Sequence, residues 1–147
     1  MKISEVMSKK VSTINLGTTL QEAAERMRSE DVGALPVVDP VSDKIKGMLT
    51  DRDIVVRAAA LGKNLDKTKA EEAMTENIRF VFEDEDISKA ASHMKDKQIR
   101  RLVVLNRNKR MVGLVSLADL ASKSPDEHLS ASVMKSVAEP SVHLTAH

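Results

Sequence analysis

Apolar residues recur along the chain with two alternating periods. Short β-forming runs at 11–14 and 78–82 are each followed by apolar positions spaced i, i+3, i+4 and i+7. These are Leu20, Ala23, Ala24 and Met27, then Ile87, Ala90, Ala91 and Met94. That spacing lays one apolar stripe along a helix and predicts a helix packed on a core. Thr18 or Thr19 can cap the first helix, and Glu83-Asp84-Glu85-Asp86 sets acid where the helix dipole favours it. Two apolar strands follow each time, 35–38 with 45–49 and 102–105 with 111–115. The polar turns 39–44 and 106–110 join them as hairpins require. A second helix then opens at Thr50 and at Ser116. The predicted unit is β-α-β-β-α, twice, an α/β fold.

The two copies align directly. Shifted by 67 positions, Val6-Met7-Ser8 falls on Ala73-Met74-Thr75, Leu20 on Ile87, Met27 on Met94 and Leu35 on Leu102. One residue is lost in the hairpin turn, and Gly47, Thr50 and Asp53 meet Gly113, Ser116 and Asp119 at a shift of 66. A period of this length is too long for a solenoid repeat and reads as a pseudo-symmetric pair. The expected organisation is motif 1 over 1–66, motif 2 over 67–123, and a C-terminal helix with a flexible tail over 124–147.

Composition narrows the chemistry. The 147 residues are 41% hydrophobic and 31% charged, ordinary for a globular protein. No apolar run approaches the roughly 18 residues of a membrane span, the first ten residues do not resemble a secretory signal, and the expected location is the cytoplasm. The chain has no cysteine, which excludes disulfides, thiolate metal sites and thiol nucleophiles. With 23 basic against 22 acidic residues and only Phe80 and Phe82 as aromatics, it lacks both the basic face and the stacking platforms of a nucleic-acid binder. The histidines, His93, His128, His143 and His147, show no metal-ligand spacing. No Ser/His/Asp set, phosphate loop or poised acid–base pair suggests an enzyme.

Gly47-Met48-Leu49-Thr50-Asp51-Arg52-Asp53 and Gly113-Leu114-Val115-Ser116-Leu117-Ala118-Asp119 share the pattern Gly-x-x-Thr/Ser-x-x-Asp across a strand end and a helix start. A hydroxyl followed three residues later by an acid is a capping box. The same geometry offers a hydroxyl to a phosphate and a carboxylate to both hydroxyls of a ribose. Capping prefers Glu or Gln at the third position, so Asp in both copies favours the ribose reading.

These motifs in order, with the Val-Met-Ser and Ala-Met-Thr openings and Gly33-Ala34-Leu35-Pro36-Val37-Val38, resemble a CBS-domain pair (Bateman module) over about 1 to 123. The likeness is to the short stand-alone bacterial type, including hypoxia-response proteins. It implies two pseudo-symmetric βαββα motifs packed as a pair, binding an adenine nucleotide in the cleft between them. In the family, Thr/Ser contacts phosphate and Asp the ribose, which carries over to Thr50 and Asp53 and to Ser116 and Asp119. The adenine pocket would be lined by Thr13 and Ile14 with Ala34, Leu35 and Pro36, and by Phe80 and Val81 with Arg101, Leu102 and Val103. Arg52, Arg100 and Arg101 suit phosphate through forked hydrogen bonds, although Arg100 and Arg101 could instead pair with the acidic loop. Because Gly33-Ala34 becomes Arg100-Arg101 and Thr13 becomes Phe80, the two pockets should differ.

The expected function is a regulatory, non-catalytic sensor of AMP, ADP, ATP, NAD(H) or S-adenosylmethionine, with no metal required, signalling to a protein target in trans, as in a stress response. The alternative is a ligand-free dimeric scaffold whose motifs only cap helices. After Asp53 the helix running to Leu61 is apolar except Arg57, so it wants a second partner face, and the resemblance implies a homodimer through the second helices. In the tail, a helix starting at Pro125-Asp126-Glu127 would turn Leu129, Val133, Met134 and Val137 inward and end at Pro140.

Overall fold

The computed structural model describes residues 1–125 and 127–138. The first copy runs β1 (Ile14–Asn15), α1 (Leu20–Glu30), β2 (Ala34–Val38), β3 (Ile45–Thr50) and α2 (Asp51–Arg57). After the one-turn helix α3 (Ala70–Ala73), the second runs β4 (Phe80–Phe82), α4 (Ile87–Lys97), β5 (Arg101–Leu105), β6 (Met111–Ser116) and α5 (Leu117–Lys123). A C-terminal helix, α6, spans Glu127–Ala138 and packs on α4 and α5. Each copy holds one three-stranded sheet, with β1 parallel to β2 and β2 antiparallel to β3, and likewise for β4, β5 and β6. Among the described residues no helix is long and apolar enough to cross a membrane.

The helical stripes do what their spacing requires. Leu20, Ala23 and Met27 bury against Leu35, Val37 and Leu49 in one core, and Ile87, Ala90, Ala91 and Met94 against Leu102, Val104 and Val115 in the other. Thr19 caps α1 in a capping box with Glu22, and Asp86 caps α4 by accepting from the Ser88 N–H. The repeat reaches into the backbone. Asp31 and Gln98, 67 apart, end α1 and α4 in the left-handed region, and Asp43 and Lys109, 66 apart, adopt it in the hairpin turns. The hairpin ladders shift register at Val37/Val38 and at Val104/Leu105.

The compact units do not coincide with the sequence period. One unit is Val11–Ile78, and the other joins Met1–Lys10 to the chain from Arg79 onward. The opening segments are therefore exchanged. Ser8 pairs with Leu114 through reciprocal N–H···O bonds of 2.8 and 3.0 Å, and Thr75 pairs with Met48 through two of 2.9 Å. Ile3 and Val6 are fully buried in the second copy's core, while Ala70, Ala73 and Met74 complete the first. The segment crosses its strand over Gly113 in one unit and Gly47 in the other. A Cβ on Gly113 would stand 2.6 Å from the Ser8 carbonyl, and one on Gly47 2.6 Å from Met74 Sδ. The glycine of the Gly-x-x-Thr/Ser-x-x-Asp pattern thus serves this crossing.

The helix expected over 53–61 is shorter. It ends at Arg57, and a 3-10 turn at Ala59–Leu61 closes on Gly62, whose φ of 71° suits a residue without a side chain. The buried Ala58 turns into the core at the break. In α6, Leu129 packs on the second core as expected. The Val133 and Val137 side chains, Pro140, His143, His147 and the expected tail lie outside the described residues.

Candidate functional site

The two Thr/Ser-x-x-Asp motifs fold identically. The Thr50 hydroxyl accepts from the Asp53 N–H at 3.0 Å, and Asp53 Oδ2 accepts from the Thr50 N–H at 3.0 Å. Ser116 and Asp119 make the same pair of bonds at 3.1 and 2.8 Å. Both are complete capping boxes, so aspartate at the third position caps as well as glutamate does. The other carboxylate oxygen faces a cation one turn on: Asp53 Oδ1 lies 3.8 Å from Arg57, and Asp119 Oδ1 3.5 Å from Lys123. Those cations also donate to carbonyls of the exchanged segments, Arg57 to Met74 at 3.1 Å and Lys123 to Val6 at 3.1 Å. The sequence reading missed this link, although Asp and a base four apart recur at matching places in both copies.

Each hydroxyl has accepted a bond and keeps its proton to donate. In the second copy, Ser116 lies opposite Arg101 in the β5–β6 ladder, and Leu117 donates its N–H to the Arg100 carbonyl at 2.7 Å. Arg100, Arg101 and Ser116 line one cavity of about 330 Å³, walled by Leu117, Ala118 and Ala121 of α5 and by Met134 of α6. The acidic loop does not take these arginines. Asp84 pairs with Arg107, and Asp86 with the Met1 amino group. A cavity lined by two arginines and a serine suits an anion.

The first copy distributes charge differently. Ala34 lies opposite Thr50, and Asp51 donates its N–H to the Gly33 carbonyl at 2.9 Å. The Asp51 carboxylate fills the space beside Gly33, where a Cβ would stand 3.1 Å from Oδ2. Arg52 is exposed on the helix. The cations thus sit on the strand in copy two and on the helix in copy one.

The remaining expected pocket residues divide by burial. The side chains of Ile14, Leu35, Val81 and Leu102 belong to the cores of their own units and present only backbone to a ligand. Ala34, Pro36 and Val103 are buried outside those clusters, on alternate strand positions. Thr13 is half-buried, and its carbonyl accepts from Arg26 at 3.1 Å, where Arg26 also holds Ser12 Oγ. Phe80 is 42% exposed, lies opposite Val103, and meets Phe82 edge-on with centroids 5.6 Å apart. Met134, expected to turn inward, is instead 51% exposed and lines the second copy's cavity with Leu117, Ala118 and Ala121; the sequence reading gave none of these a place in a pocket, because nothing local set α6 beside α5.

The CBS domain family profile matches residues 3–59 and 70–126. Hypoxic response protein 1 of Mycobacterium tuberculosis (strain ATCC 25618 / H37Rv) is 35% identical over 136 residues, 92% of this chain and 93% of that protein. The crystal structure of Hypoxic Response Protein I with two coordinated zinc ions is 34% identical with a TM-score of 0.77, covering 85% of this chain and 100% of that one. The CBS domain pair of protein MJ0100, in complex with 5′-methylthioadenosine and S-adenosyl-L-methionine, is 29% identical with a TM-score of 0.69, over 82% of this chain and 93% of that one.

The zinc-bound relative corrects the expectation that no metal is required, since a protein this similar coordinates two zinc ions. The described residues do not reproduce a zinc centre. There is no cysteine, and no group of three or more His, Asp or Glu that could hold a metal is assembled among the described residues. Two CBS matches covering most of the sequence, a 35% identical relative spanned almost end to end, and the repeated sheet topology agree: this chain belongs to the CBS-domain family, as a CBS-domain pair.

Proposed function

We propose that this CBS pair is a regulatory module that binds an adenosyl ligand at the Thr50/Asp53 and Ser116/Asp119 motifs and signals by a change of conformation to a protein target. The observation that carries this is the cavity lined by Arg100, Arg101 and Ser116, whose arginines have no acidic partner among the described salt bridges. Support comes from the MJ0100 pair, a relative with two adenosyl compounds bound. Asp53 and Asp119 would hold ribose hydroxyls, with Thr50 and Ser116 donating to phosphate or its substitute. The phosphate-bearing candidates are AMP, ADP, ATP and NAD(H), and S-adenosylmethionine is the candidate without phosphate. The protein would act as a homodimer in the cytoplasm, and its likeness to a hypoxic response protein fits a stress role.

A second reading is favoured by a specific observation. Both aspartates already have complete partners, in the capping box and in Arg57 or Lys123, as a ligand-free scaffold would need. Thermal unfolding with each candidate ligand, with and without zinc, separates the two. A ligand at 100 times its dissociation constant adds about 2.7 kcal/mol. No stabilisation by any of them leaves the scaffold.

A further inference from the structure

The cavity of the second copy has a polar and an apolar part to its lining, and only the polar part is explained by holding a phosphate. Arg100, Arg101 and Ser116 form the polar part. The rest of the lining is apolar, Leu117, Ala118 and Ala121 of α5 and Met134 of α6. Met134 is 51% exposed, so its thioether surface is free to be covered by something that enters. Among the described residues the first copy has no such wall. At a shift of 66, Ala118 becomes Arg52 and Ala121 becomes Val55, and after α2 that unit continues into the 3-10 turn at Ala59–Leu61, with no counterpart of α6 among the described residues.

Resting on the reading of the Ser116 motif as a nucleotide site, we infer that Met134 is a specificity-determining residue, walling a subsite for a group carried beyond the phosphate. A nucleoside monophosphate ends at its phosphate and would leave this wall bare. A dinucleotide carries an apolar ring face past the phosphate, where Met134, Ala118 and Ala121 can cover it while the arginines hold the charge. The second site therefore selects dinucleotides over mononucleotides, and the first, with Arg52 in place of Ala118, does not.

The chain has no cysteine, so Met134→Cys gives a single thiol in the full-length protein. NADH and AMP serve as probes. NADH should slow alkylation of the thiol at 134 and leave that of a Lys135→Cys control unchanged, and Arg101→Ala should abolish the protection. By calorimetry NADH should bind the second site more tightly than AMP. Met134→Ala should weaken NADH about tenfold, the scale of an uncovered methionine, and AMP little. If Arg101→Ala weakens NADH while Met134→Ala does not, or if both thiols are protected equally, the subsite is refuted and the nucleotide site stands. If neither NADH nor AMP gives binding heat with the wild-type chain, both fall.

Discussion

Asp53 and Asp119 each serve two demands with one carboxylate. One oxygen closes the capping box and the other faces a cation that also holds the exchanged segment. A ribose could be gripped only by sharing these bonds. Asp53→Ala and Asp119→Ala should therefore cost about 0.5–1 kcal/mol of stability through the cap and weaken nucleotide at their own sites by tenfold or more, the worth of a bond to a charged group at about 1.5–3 kcal/mol. Denaturation and calorimetric titration measure the two effects. Lost stability with unchanged affinity in both variants would leave capping as the whole role. A further aspartate titrates in a predictable window. Hydrogen bonds from Ser88 and from the Met1 amino group hold Asp86 below its ordinary 3.8, at about 2. A lowered value in the folded state means that the charged form stabilises the fold. The contribution is complete above about pH 4 and is lost as pH falls through about 2. Asp86→Asn should flatten the stability profile across that window, and an unchanged acid limb would refute the assignment.

The sheets are completed by chain from the other end of the repeat, and the glycine in each motif makes room for it. Gly113→Ala would drive a methyl group against the Ser8 carbonyl and Met7 Sδ, at 2.6 and 2.9 Å. A backbone carbonyl yields little, so urea denaturation should show a loss of about 1–3 kcal/mol. At Gly17 a Cβ meets nothing nearer than 3.5 Å, and Gly17→Ala should leave the midpoint nearly unchanged. Equal midpoints for the two variants would contradict the crossing. The helices show the complementary case. Asp31 and Gln98 end α1 and α4 in the left-handed region without being glycine. The repeat thus preserves a backbone shape that residue type alone does not signal.

At the scale of the molecule, the α2 face is exposed among the described residues. Val55 is 58% exposed, Val56 41% and Leu61 68%, whereas α6 packs across α5 at the corresponding place in the second copy. The homodimer proposed above would accordingly use the α2 face rather than both second helices equally. Val55→Glu should turn a dimer into monomers by light scattering at micromolar concentration, with the circular dichroism of the fold retained. A monomeric wild type would dispose of the dimer, and a dimeric Val55→Glu would move the contact elsewhere.

The sequence by itself determined what depends on neighbours within a turn or a strand. The stripes of Leu20–Met27 and Ile87–Met94, the hairpins, the caps at Thr50 and Ser116 and the doubling of the βαββα unit follow from spacings of two to four residues, repeated at 67 and 66. Such interactions are set by local geometry and survive wherever the segment lies. Only the tertiary structure decided that Met1–Lys10 folds with the second copy, that Ile14, Leu35, Val81 and Leu102 point into cores, and that Met134 walls the Arg100–Arg101 cavity. These facts depend on contacts between segments far apart in the chain. An apolar or small residue reads the same in sequence whether it meets a core, a crossing strand or a ligand. The buried surface that discriminates among them exists only once the chain has closed on itself.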